Sequence, residues 1–96
     1  MSLAVTLITS TYTISSVGLQ LYQVDASNGG LTVTLPDATN SDGSHFYIKR
    51  QDTSVNNAVN INGQNGQKID NNANTSLSSK KEFHVIAFQS NWWIIG

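Results

Sequence analysis

The chain has 96 residues, no cysteine, and five basic against six acidic side chains, giving a net charge of −1. These numbers argue against a disulfide scaffold and against phosphate-driven nucleic-acid binding; no apolar run approaches the ~20 residues of a membrane-spanning helix, and residues 1–8 lack the basic segment of a signal peptide. Neutral polarity replaces charge: about two-fifths of the residues are Ser, Thr, Asn or Gln, while 11% are charged against ~25% in an average domain, so the surface interacts by hydrogen bonding.

In chain order, residues 4–8 and 11–14 are short β-branched runs, followed by residues 19–24, where Leu19 and Leu21 share a face. Asn28-Gly29-Gly30 supplies the positive φ values of a tight turn. Leu31, Val33 and Leu35 alternate with Thr32 and Thr34, predicting a half-buried strand that Pro36 closes by removing a donor. Residues 37–44 form the first true loop. Residues 46–51 are the next strand, with Phe46 and Ile48 on one face, Tyr47 and Lys49 on the other, and Arg50 on the apolar side.

Residues 52–79 carry only isolated apolar points, Val59, Ile61, Ile69 and Leu77, punctuated by Asn62-Gly63 and Asn65-Gly66. Such spacing suits brief strands stacked as in a solenoid or an interdigitated trimer; a disordered loop is the alternative. No window has helical periodicity with capping signals.

Residues 83–96 read as a β-hairpin apolar on both faces. Phe83, Val85 and Ala87 oppose His84, Ile86 and Phe88, while Trp92 and Ile94 oppose Trp93 and Ile95. A small antiparallel domain buries one face per sheet, so the second face asks for a covering layer. Two arrangements satisfy it. Phe83, Val85, Ile86, Phe88, Trp92, Trp93, Ile94 and Ile95 can form the core of a homotrimer, or both tryptophans can serve one monomeric core. The expected class is all-β: a small antiparallel β-sandwich-like or interdigitated β-domain, built as an intertwined homotrimer, with residues 1–96 as a single domain.

Tyr12-Thr13-Ile14, then Tyr22 to Ser27, a glycine turn and Thr32-Val33-Thr34-Leu35-Pro36, resemble in their order a β-rich head or tip module of bacteriophage tail fibres and virus capsid fibres, including those of virophage type. Tyr47-Ile48-Lys49-Arg50, Val59-Asn60-Ile61, Ile69-Asp70, Ser76-Leu77-Ser78 and Asn91 to Ile95 continue in step, so the resemblance runs from about Tyr12 onward. The chain departs in carrying Asn71-Asn72 where a glycine commonly follows, and in doubling the tryptophan. The resemblance implies a trimeric fibre head on the virion surface that contacts other virion proteins and attaches to a host-cell receptor, a glycan among the candidates. Neither Gly-X-Y repeats nor heptads occur, so a C-terminal piece of a longer fibre protein is expected. A capsid decoration protein and a carbohydrate-binding module are the competing readings.

Candidate binding residues lie in two loops, Asn40, Asp42, Ser44 and Tyr47 around one and Asn62, Gln64, Asn65 and Gln67 around the other, offering amides and hydroxyls to sugar hydroxyls and one aromatic face to a pyranose. The same residues are also ordinary turn formers. No enzyme, cofactor or metal is expected. His45 and His84 lack H-x-H spacing and read as strand residues, and Asp37 and Asp42 read as turn formers rather than a catalytic pair.

Overall fold

The structure, a computed structural model, describes residues 4–96. All its regular elements are strands: β1 (Val5–Ile8), β2 (Tyr12–Thr13), β3 (Leu21–Val24), β4 (Leu31–Thr34), β5 (His45–Arg50), β6 (Val59–Asn62), β7 (Asn74–Ser76), β8 (Glu82–Phe88) and β9 (Asn91–Ile94). They form a five-stranded sheet in the order β1-β3-β5-β8-β9 and a four-stranded sheet in the order β2-β4-β6-β7.

The expectation of an antiparallel domain is corrected here. Successive strands alternate between the two sheets, so each return to a sheet lies parallel to the strand before it. The β1–β3, β3–β5, β2–β4 and β4–β6 pairs are all parallel. Three coils are thus stacked, each giving one strand to each sheet, in the manner of a short solenoid. The stack ends where β7 pairs antiparallel to β6 and β8 antiparallel to β5, with β9 completing a hairpin on β8. Both sheets are therefore mixed.

Alternation explains the core. The inward positions of β4 and β6, Leu31, Val33, Val59 and Ile61, meet Tyr22, Val24, Phe46 and Ile48 of β3 and β5, all buried. The isolated apolar points of residues 52–79 are the inward ends of the later turns: Ile69 and Leu77 are each 1% exposed, so this stretch is an ordered part of the stack. Asn28-Gly29-Gly30 turns the chain from one sheet into the other and does not close a hairpin. Gly30 suits the close stacking, because a Cβ there would sit 3.0 Å from the Ala58 carbonyl oxygen of the next coil, which would have to give by a few tenths of an ångström. Leu19 lies outside β3 and is exposed.

The C-terminal hairpin divides its two faces between different environments. Val85 and Trp92 are fully buried, with Phe83 and Ile94 packed on the same core, so these four belong to the chain's own interior and not to a trimer core. Phe46 stands edge-on to Trp92, with centroids 5.1 Å apart, and the Trp92 indole N–H donates to the Pro36 carbonyl at 2.9 Å. Ile86, Phe88, Trp93 and Ile95 point the other way.

Two candidate interaction surfaces

The outer side of the five-stranded sheet carries cross-strand rows fixed by register. Val5, Leu21, Tyr47 and His84 face one another along one row, with Ile95 beside His84 through the Ile95 N–H to His84 carbonyl bond. Leu7, Gln23, Lys49 and Glu82 form a second row, and Ile86 pairs with Trp93 in a third. Val5, Leu7, Phe88 and Ile95 are all more than half exposed, at 52–60%. Charge on this face is confined to one ion pair, Lys49 Nζ to Glu82 Oε1 at 3.0 Å, beside a shallow apolar depression floored by Leu21 and Tyr47. Apolar side chains exposed at both edges of one sheet face point to an interaction surface.

His45 and His84 also lie here, on adjacent strands. Their ring nitrogens, Nδ1 and Nε2, are 2.9 Å apart, and Tyr47 stacks on the His84 ring with centroids 4.1 Å apart. Burial, and then the neighbouring His45, hold the His84 pKa below its usual value. The chain separation of the two histidines concealed this contact; the pairing of β5 with β8 creates it.

The outer side of the four-stranded sheet is different. Thr13, Thr34, Asn62 and Asn74 form one cross-strand row, and Thr32, Asn60 and Ser76 the next. None of these positions is charged, and none of these side chains is hydrogen-bonded within the described residues. The strands that carry these amides and hydroxyls lie about 4.8 Å apart. The signal in the sequence was the pair of alternations Thr32-Val33-Thr34 and Asn60-Ile61-Asn62.

The two candidate loops are brought side by side, but largely to hold each other. Gln67 accepts from the Ala38 N–H at 2.9 Å and donates to Asp37 Oδ1 at 2.6 Å and to Thr39 Oγ1 at 3.3 Å; Asn65 donates to Asp37, and Gln64 donates to the Leu35 carbonyl. The Thr39 N–H, then Gln67 and Thr39 side-chain groups, keep the Asp37 carboxyl at about 2. Asp42 accepts from the Gln89 N–H, and the Ser44 backbone bonds Ala87 and Ser41. Asn40 occupies a left-handed turn position, φ 58°. Tyr47 belongs to the apolar sheet face, and Asn62 to the uncharged one. The eight residues do not form one site.

A cleft of about 320 Å³ opens between residues 54–59 and 76–79. Its one charged lining residue, Arg50, is already bonded to Asp52 and to the Ser54, Asn57 and Leu77 carbonyls, so it has little to offer a ligand. Among the described residues no three or more His, Cys, Asp or Glu side chains gather as a metal cluster. Neither a known family model nor a curated protein matches the chain.

Proposed function

We propose that the chain is a fibre head domain of a virion surface, assembled as a homotrimer and attaching the particle to a host-cell receptor. The observation that carries this reading is the set of exposed apolar side chains on the outer side of the five-stranded sheet, Val5 and Leu7 on its β1 edge and Phe88 and Ile95 toward its β9 edge, with one ion pair on the same face. Covering that side by copies of the chain removes it from water at roughly 25 cal/mol per Å². The number three comes from the family resemblance. The uncharged Thr/Asn side then remains outward, offering its free amides and hydroxyls to a glycan or another neutral receptor, and the loops serve as its frame.

Light scattering under dilution tests the reading. A mass near three times 10.4 kDa that persists on dilution supports it, and a Trp93→Lys, Ile95→Lys double variant is expected to run as a folded monomer. A wild-type chain that is folded and monomeric at all concentrations overturns it. That result favours the second reading, a monomeric carbohydrate-binding module, for which the unbonded Thr34, Asn60 and Asn62 side chains already provide an argument.

A further inference from the structure

We propose that His45 and His84 form a two-imidazole site for a tetragonal divalent transition-metal ion, Cu2+ foremost. The two residues lie diagonally across the β5–β8 ladder, His45 opposite Ile86 and His84 opposite Tyr47, so backbone pairing fixes the distance between their α-carbons. Nδ1 of His45 and Nε2 of His84 already face each other at 2.9 Å. Tyr47 stacks on the His84 ring at 23° between planes, limiting its rotation. The fold brings the two imidazoles together, and binding exchanges their mutual hydrogen bond for the ion.

The separation also selects among metals. With metal–nitrogen bonds of about 2.0–2.1 Å, donors 2.9 Å apart subtend about 90° at the ion, the angle between neighbouring positions in a square or tetragonal field and well short of the tetrahedral angle zinc prefers. A turn of both rings directs the two lone pairs to one point, and the proton on the donating nitrogen passes through solvent to the other nitrogen of the same ring, so both imidazoles stay neutral. Water, or a side chain of a copy packed on this sheet face, fills the remaining positions.

The composition makes the test clean: the chain has two histidines and no cysteine, so imidazole-dependent binding reports on this pair alone. Calorimetric titration of the full chain with Cu2+, Ni2+ and Zn2+ at pH 7 is expected to give one site per chain, with Ni2+ bound more tightly than Zn2+. His45→Ala and His84→Ala are each expected to weaken Cu2+ binding at least tenfold with an unchanged far-UV spectrum. Should a variant unfold, the spin-resonance spectrum of the Cu2+-loaded wild type decides. Two equatorial nitrogens, lost as pH falls below about 6, support the proposal. One or none, or binding unchanged in the folded double variant, overturns it.

Discussion

Arg50 and Asp52 form a two-point ion pair inside the protein, Nε to Oδ1 at 3.0 Å and Nη2 to Oδ2 at 3.1 Å, with each side chain 3% exposed. The pair fastens one end of the coil stack. Asp52 also accepts from the Ala26 and Ser54 N–H groups, and Arg50 reaches the Ser54, Asn57 and Leu77 carbonyls, so neighbouring turns converge on one pair of charges. Replacing Asp52 by Asn leaves the guanidinium buried without its counter-charge. The expected loss is about 3 kcal/mol in urea unfolding.

The same pair sets an acid limit. The Arg50 hydrogen bonds, opposed by burial, lower the Asp52 pKa from 3.8 to about 2. The folded value lies below the unfolded one, so the contribution is fully present above about pH 4 and drains away as pH falls toward 2. Thermal melts across pH 2–5 should show a steep decline in wild type and a shallower one in Asp52→Asn.

Trp92 separates volume from hydrogen bonding. Trp92→Ala opens a large cavity between the sheets, at a cost of about 3–5 kcal/mol, against ~5–10 for the whole domain, and the variant is expected to lose about half of its stability. Trp92→Phe keeps much of the packing against Phe46 but strands the Pro36 carbonyl, at about 1–3 kcal/mol. A Trp92→Phe variant as stable as the wild type would contradict the role given to the indole N–H.

The β8–β9 turn holds Gln89 at φ 54° and Ser90 at φ 60°, a two-residue connection with both central residues left-handed. Asn-Gly is the preferred occupant of such a turn. The double change Gln89→Asn, Ser90→Gly should stabilise the chain by about 1 kcal/mol, read as a rise in urea midpoint at constant slope.

Polar residues should divide by their bonding. Thr34→Ala and Asn60→Ala, whose side chains bond nothing in the described protein, are expected to change stability by less than about 0.5 kcal/mol. Gln67→Ala removes the ties to Asp37, Ala38 and Thr39 and should cost about 1 kcal/mol. If Thr34→Ala and Asn60→Ala destabilise as much as Gln67→Ala, the uncharged sheet face is structural rather than available for binding.

Strand positions were legible from alternation, down to the inward Arg50 and the hairpin ending in Trp92-Trp93-Ile94. Pairing was not. Parallel register between β3 and β5, or β4 and β6, depends on contacts far apart in sequence, and an Asn-Gly-Gly turn looks the same whether it closes a hairpin or carries the chain to a second sheet. For the same reason the loops drew attention as binding sites while the His45–His84 contact stayed hidden. The assignment of Val85 and Trp92 to a trimer core failed because the parallel coils already supply the layer that covers them.

The hairpin that carries Trp92 follows all three coils in chain order, yet it completes the five-stranded sheet beside β5 and puts the Trp92 indole into the core. During synthesis the part of the core beside Phe46 and Pro36 therefore stays open until the hairpin leaves the ribosome and pairs with β5. Folding is in this sense a late closure, and the interval before it is when a nascent chain is most exposed to sticking to its neighbours.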